Sequence, residues 1–190
     1  DPKPGETLFD PSCGTGGFLT CAIRHMRERY VKKPDDEARL QAGLRAVEKK
    51  PLPHMLCVTN MLLHGIEDPG FVRHDNTLAR PYIGWGQADR VDIILTNPPF
   101  GGREEDGIES NFPAHLRTKE TADLFLALFI RLLKPGGRAA IVLPDGSLFI
   151  TYLNSGGHRT EDAKSNSIRC IRLRIRPDHS GVDLLPAPNR

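Results

Sequence analysis

The sequence predicts a doubly wound α/β fold, and three stretches carry that expectation. Val91-Asp92-Ile93-Ile94-Leu95 is a short β-branched run that breaks at Thr96-Asn97-Pro98-Pro99-Phe100-Gly101, the pattern of a buried parallel strand whose carboxyl end opens abruptly into a loop. Thr7-Leu8-Phe9 is a second apolar strand, followed by the glycine-rich Asp10-Pro11-Ser12-Cys13-Gly14-Thr15-Gly16-Gly17 and a helical run from Phe18 to Tyr30. Strand, glycine-rich turn and helix make a ligand cradle, because glycines let the backbone approach a ligand at a helix N-terminus. Leu44 to Val47 is the next strand in the chain and ends in Glu48; open α/β sheets hold their ligands at such carboxyl ends.

The stretch at 96–101 carries the most specific chemistry. Asn97 offers a carboxamide oxygen, and Pro98 and Pro99 fix φ at about −65° and remove two backbone donors, so the carbonyls there can face a ligand amino group. Phe100 adds a flat apolar face. Acceptors beside a stacking ring suit a planar base carrying an exocyclic NH2 that has been taken out of its stack. The glycine turn does not match a phosphate site: a dinucleotide fingerprint needs a third glycine where Leu19 stands, and a P-loop needs Gly-Lys-Ser/Thr. A cofactor without phosphates fits better. Glu48 stands 48 − 10 = 38 residues beyond Asp10, against the roughly 20 of a minimal βαβ unit, and the insertion at 31–45 accounts for the excess. In a doubly wound sheet, an acid in this place can accept hydrogen bonds from both ribose hydroxyls.

Composition narrows the remaining possibilities. A chain of 190 residues with 38% apolar and 26% charged residues suffices for one globular domain with a sizeable core. The formal net charge is +2, with 19 Lys/Arg against 20 Asp/Glu in residues 1–157 and 7 against 4 in 158–190, so neither part is a strong phosphate magnet. Neither a helix-turn-helix nor a zinc-finger pattern is present, so any grip on a specific nucleic-acid sequence is expected from another chain. Cys13, Cys21, Cys57 and Cys170 show no Cys-x-x-Cys spacing, which points to a reduced, cytoplasmic setting. The longest apolar runs, such as Leu124 to Ile130, are too short to span a bilayer. The opening Asp1-Pro2-Lys3-Pro4-Gly5 runs straight into a strand, as expected of a piece cut from something longer.

The intervening segments follow from local pattern. Residues 31–45, with Lys32-Lys33-Pro34-Asp35-Asp36-Glu37, are expected as a polar connector with a solvated charge run. Pro53 to Leu63 is expected as a helix that buries Met55, Leu56, Val58, Met61 and Leu62 and stops at Gly65. His64 lacks a second ligand at metal spacing and is expected to be a capping or core histidine; no metal site is expected. Phe71 to Thr77 is the third strand with its exit turn, and Trp85 is expected to pack its own loop. Residues 101–120 are expected as a long polar loop, and Thr121 as the cap of an apolar helix at 122–134. Lys134-Pro135-Gly136-Gly137 should end that helix before the strand Arg138 to Leu143.

Asp10-Pro11-Ser12-Cys13-Gly14-Thr15-Gly16-Gly17-Phe18-Leu19 together with Asn97-Pro98-Pro99-Phe100 resembles the S-adenosylmethionine-dependent N6-adenine DNA methyltransferases, and the block Val47 to Ile66 narrows the resemblance to the modification subunit of type I restriction-modification systems. The resemblance covers roughly residues 1–150 and implies a Rossmann-like methyltransferase core. It further implies S-adenosyl-L-methionine as cofactor, a flipped-out DNA adenine as acceptor, and work alongside a specificity subunit and a restriction subunit. Carried over residue by residue, it assigns cofactor binding to Asp10, Pro11, Gly14, Thr15, Gly16, Gly17, Phe18, Glu48, Asp75, Asn76 and Asn97. Asp75 would accept from the cofactor's adenine amino group. Asn97, Pro98, Pro99 and Phe100 receive the catalytic role.

Beyond Ile150 the sequence departs from that pattern. Residues 151–190 are expected as an atypical basic tail, either disordered or altered in reading frame, with the last strands of the core incomplete. Ile168 to Arg176 alternates apolar residues with arginine and is expected as an edge strand, with disorder from Pro177 onward. Two other functions satisfy the same motifs. One is an N-methyltransferase acting on a ribosomal RNA guanine or a protein glutamine, since any flat NH2-bearing group suits the acceptors; the other is a truncated chain that binds cofactor or a partner without turnover.

Overall fold

The computed structural model describes residues 1–99, 104–144, 168–178 and 181–185. Its contacts gather into two units, one formed by Asp1–Thr77 with Val91–Thr96 and the other by Leu78–Arg90 with Asn97–Arg190.

In the first unit four parallel strands stand in the order β3-β2-β1-β4, where β1 is Leu8–Asp10, β2 Leu44–Glu48, β3 Val72–His74 and β4 Val91–Thr96. Parallel neighbours need crossovers, supplied here by helix α1 (Gly17–Arg29), α2 (Pro34–Ala42) and α3 (Pro51–Leu63). All three residues of β1 are buried, as a central strand covered on both faces requires. Side-chain hydrogen bonds pin β1 to β4 at both ends. Thr7 donates its backbone N–H (2.8 Å) and its hydroxyl (2.6 Å) to one Asp92 carboxylate oxygen, and beyond the other end the Ser12 and Thr96 hydroxyls meet at 2.9 Å.

The helices differ in how they meet this sheet. α1 buries Leu19, Ala22, Ile23 and Met26, an i, i+3, i+4, i+7 stripe. The stretch expected as a connector contains α2, a correction with a local cause. Pro34 occupies the first turn, where its missing N–H costs nothing, and the Asp36 carboxylate accepts the Lys32 and Lys33 backbone N–H groups at 3.1 and 3.3 Å. Its charged residues remain largely solvated, but Glu37 takes the Arg27 guanidinium at 3.0 Å, and that bond holds its carboxyl below the usual carboxylate range.

α3 is apolar on two sides. Cys57 and Met61 are buried in the core with Leu8, Ile23, Leu44 and Ile93. Met55, Leu56 and Leu62, expected inside, are exposed together with Leu52 and Leu63. Residues 52, 55, 56, 62 and 63 form a second stripe at helical spacing, and periodicity alone cannot say which of two apolar stripes faces the sheet. The helix ends as Gly65 adopts φ 71°, with the Gly65 N–H on the Leu62 carbonyl (2.9 Å) and the Ile66 N–H on the Met61 carbonyl (3.0 Å). His64 Nδ1 lies 2.8 Å from the Asn60 carbonyl oxygen, in keeping with a capping role.

In the second unit, α4 (Thr121–Leu132) is buried nearly all round and runs into β5 (Leu133–Pro144), which pairs antiparallel with β6 (Ile168–Ile175), itself antiparallel to β7 (Val182–Leu185). Four expectations change here. Thr121 is the first helical residue and Glu120 takes the cap position. Lys134-Pro135-Gly136-Gly137 lies inside β5, Gly136 accommodating the chain with φ 74°. β6 is flanked by β5 and β7, so it is not an edge; it buries Leu173 and Ile175 and turns Arg174 outward. Val182–Leu185, placed in a disordered tail, is a strand whose hairpin closes through the Arg176 guanidinium on the Asp183 carboxylate at 2.8 Å. Within the stretch 104–120, short 3₁₀ turns at Ile108–Asn111 and Ala114–Leu116 bury Ile108 and Phe112; residues 101–103 lie outside the described residues. Trp85 is buried in its loop, with the Arg80 guanidinium 4.2 Å from the centre of its ring. Among the described residues no helix is long and apolar enough to cross a membrane.

The two faces of α3 should respond differently to truncation. Met61→Ala is expected to cost ~2–5 kcal/mol of unfolding free energy through the cavity it leaves, and Leu63→Ala, at a side chain 77% exposed, less than ~0.5 kcal/mol. Urea denaturation of both variants checks this.

Candidate functional site

β1 delivers Asp10 to the carboxyl end of the sheet, and the chain turns there through Pro11 to Gly16 before α1 begins at Gly17. Two glycines make that turn possible. Gly14 has φ 55° and Gly16 φ 85°, left-handed backbone that side-chain-bearing residues rarely adopt. Gly16 also has no room for a side chain, since a Cβ would sit 2.8 Å from Cys57 Sγ and 3.2 Å from Met61 Cε.

The turn is held from three neighbouring elements. From β2, the Glu48 carboxylate takes the Gly14 N–H on Oε2 (2.9 Å) and the Lys50 N–H on Oε1 (2.7 Å). From α3, Asn60 Nδ2 donates to the Thr15 carbonyl (2.8 Å), and from the exit of β3 the Thr77 hydroxyl donates to the Pro11 carbonyl (2.6 Å). Asn60, Thr77, Ser12 and Thr96 were not singled out from the sequence. A lone Asn on the polar side of a helix, or a Thr two residues after an acid, gives no local signal, because each acquires its partner only through the fold.

The sequence-selected residues gather as follows. Asp10 and Glu48 are buried, at 1% and 8% exposure, at the ends of adjacent strands. Asp75 follows β3 directly; it is exposed, its Oδ1 accepts the Asn76 N–H at 2.8 Å, and its Oδ2 lies 3.6 Å from the Arg73 guanidinium. Asn76 is half-buried beside it. Gly14 is half-buried, Pro11 and Gly16 are buried, and Thr15, Gly17 and Phe18 stand at the surface of the turn and of the first helical turn. Asn97 and Pro99 are exposed and Pro98 is buried in the segment that follows Thr96, the last residue of β4. Phe100 lies outside the described residues.

The electrostatics of the cradle are acidic. Burial pushes the Asp10 carboxyl up to about 7, and the Glu48 charge adds to the rise, against bonds from the Thr96 side chain and the Ser12 N–H that lower it. Two adjacent carboxyls disfavour a phosphate and favour hydroxyl and amino donors or a cation. The Cys13 thiol, 3.6 Å from Cys57 Sγ, is pushed up by its hydrogen bond to Cys57 first and by burial second, so it is no thiolate nucleophile. Among the described residues no group of three or more His, Cys, Asp or Glu could hold a metal ion. An open depression in the second unit is lined by Glu104, Asp106, Glu109, Thr118, Lys119 and Leu124 and contains none of the residues singled out above.

Comparison with known proteins gives a consistent result. The sequence model of the family described as N-6 DNA Methylase matches residues 1–171, past residue 150 and into β6. The chain is 62% identical over 149 residues to the methylase subunit of the type I restriction enzyme EcoEI of Escherichia coli, covering 78% of this chain and 30% of that protein. To the EcoKI methylase subunit of Escherichia coli strain K12 it is 31% identical over 178 residues, covering 89% and 32%. Among solved structures, a modification subunit assigned to a type I restriction enzyme of Vibrio vulnificus YJ016 superposes with a TM-score of 0.73 at 45% identity, covering 80% of this chain and 35% of that one. The chain spans about a third of the length of these relatives.

Two measurements check the cradle. Gly16→Ala is expected to lower stability by ~1–3 kcal/mol through strain and the Cys57 contact, and Gly14→Ala, with nothing within 4 Å of the added atom, by ~1 kcal/mol through backbone strain alone. Because the folded protein holds the Asp10 proton up to about pH 7, against 3.8 as the ordinary value, the contribution of this group is fully present below pH 4 and is lost as pH rises through 7. Unfolding free energy should therefore fall over that window by at most ~4 kcal/mol, and Asp10→Asn should flatten the fall in urea titrations at stepped pH.

Proposed function

The chain belongs to the N-6 DNA methylase family, and on that premise we propose that it carries the catalytic core of a type I methylase subunit, transferring a methyl group from S-adenosyl-L-methionine to the N6 amino group of a DNA adenine. One observation carries this reading: the buried Glu48 carboxylate at the end of β2 holds the glycine turn at the end of β1, and Asn97-Pro98-Pro99 leaves β4, the strand beside β1.

The donor set fits the cofactor. Glu48 retains acceptor capacity on both oxygens for a ribose diol, because a carboxylate offers about four lone-pair sites and two are engaged. Asp75 presents an exposed carboxylate for an adenine amino group, and the acidic cradle suits a cationic ligand without phosphates. Asp10, Pro11, Thr15, Gly16, Gly17, Phe18 and Asn76 would line the rest. S-adenosylmethionine supplies an electrophilic methyl group on a sulfonium.

The residues of this chain prepare the acceptor. The adenine N6 lone pair is delocalised into the ring and nucleophilically weak. If the Asn97 side-chain oxygen and the Pro98 carbonyl each accept one N–H, the nitrogen moves toward tetrahedral geometry and its lone pair becomes available to the methyl carbon. S-adenosylmethionine would supply the methyl group that this lone pair takes, and the nitrogen would then release one proton to solvent. Phe100 would stack on the extruded base, a contact worth ~1–3 kcal/mol that offsets part of the unpairing cost.

Target choice is assigned to a specificity subunit, with a restriction subunit completing the complex, since the charge of this chain is near balance. Free thiols at Cys13, Cys21 and Cys57 suit a cytoplasmic setting. In the complete methylase with its specificity subunit, Asn97→Ala is expected to abolish transfer of labelled methyl to adenine-containing duplex while cofactor and DNA binding persist. Phe100→Tyr should retain activity and Phe100→Ala lose most of it. Near-normal turnover in Asn97→Ala would overturn the mechanism, and labelling of RNA or of a protein amide in place of duplex DNA would replace the acceptor.

A further inference from the structure

We propose that Thr96 is a positioning residue of the cofactor cradle, its hydroxyl locking the Asp10–Ser12 turn to the carboxyl end of β4. The proposal rests on the reading that this cradle binds S-adenosylmethionine. In chain order the sheet of the first unit grows from β1 to β2 and β3 on one side and then returns to place β4 on the other. The seam between β1 and β4 is therefore the point where strand order reverses, where open α/β sheets bind their ligands. Thr96 is the last residue on the β4 side of that seam and is wholly buried.

Its hydroxyl has two partners. Thr96 Oγ1 lies 2.9 Å from Ser12 Oγ, and the Thr96 side chain also bonds the Asp10 carboxyl. Asp10 Oδ1 in turn accepts the Ser12 N–H at 3.2 Å. With Asp10 ionised, the directions are determined: Ser12 donates its hydroxyl proton to Thr96, and Thr96 donates to Asp10. The three residues form a closed loop of hydrogen bonds across the seam. The other buried residues of β4 are the apolar Val91, Ile93 and Ile94, and a valine at 96 would fill nearly the same volume. A buried hydroxyl costs free energy unless bonded, so what Thr96 adds over valine is this loop. The titratable groups facing Asp10 are Glu48 from β2 and the thiols of Cys13 and of Cys57 on α3. Each of them, when charged, opposes ionisation of Asp10, whereas the Thr96 bond favours it.

The test compares Thr96→Val, Thr96→Ser and Ser12→Ala with the wild-type 190-residue chain, by calorimetric titration with S-adenosylmethionine and by urea unfolding between pH 4 and 8. Thr96→Val and Ser12→Ala are expected to weaken cofactor binding about tenfold, the scale of one lost hydrogen bond. In Thr96→Val the fall in stability with pH should extend to higher pH than in wild type. Thr96→Ser should stay within about threefold of wild type and keep its pH profile. Binding and pH profile unchanged in Thr96→Val would overturn the proposal, as would Thr96→Ser failing as badly as Thr96→Val, which would assign the effect to packing. If Thr96→Val does not fold, Ser12→Ala decides by the same criteria. Wild type failing to bind cofactor would instead overturn the proposed function, while the pH arm would still report whether the hydroxyl holds Asp10.

Discussion

The Glu48 carboxylate is the constraint on which the cradle depends. One oxygen holds the Gly14 N–H and the other the Lys50 N–H, so a single buried side chain couples the turn after β1 to the start of α3. A buried charge is costly unless it is hydrogen-bonded, and here two backbone donors bond it, one on each oxygen. The turn is therefore supported from β2 and from α3 as well as by its own Gly16 N–H on the Cys13 carbonyl at 2.8 Å. Asn60 and Thr77 extend that support to the Thr15 and Pro11 carbonyls.

The acids that shape the cradle also bias what it accepts. Asp10 and Glu48 lie at the ends of adjacent strands, and burial of Asp10 beside Glu48 raises its proton affinity. The cost of this pair is partly offset by the Thr96 bond and the Ser12 N–H. A phosphate would add to the charge, whereas hydroxyls, amino groups and a cation relieve it. A glycine turn of this kind serves phosphates in other α/β proteins, and the two carboxyls beside this one work against such a ligand.

The apolar surface is distributed less simply than the acids. α3 gives Cys57 and Met61 to the core of the first unit and leaves Leu52, Met55, Leu56, Leu62 and Leu63 in water. The second unit buries nearly the whole of α4 and gives β6 a strand on each side, with Leu173 and Ile175 buried and Arg174 exposed.

By itself the sequence determined the strands at Leu8, Leu44, Val72 and Val91, the glycine turn, and the choice of Asp10, Glu48 and Asp75 as residues at strand ends, because hydrophobic runs, breakers and left-handed glycines are local signals with local causes. It determined the family through two motifs separated by some eighty residues. Tertiary structure decided what depends on partners distant in the chain. Whether 31–45 is a helix turned on the Asp36 cap and on the docking of Leu40 and Glu37. Which stripe of α3 faces inward was settled by the sheet and not by the helix, and β6 became an inner strand only because Val182–Leu185 paired beside it. Thr96 and Ser12 read as ordinary loop and strand residues until β1 and β4 lie side by side, since a hydrogen bond between residues 84 apart leaves no mark on either neighbourhood.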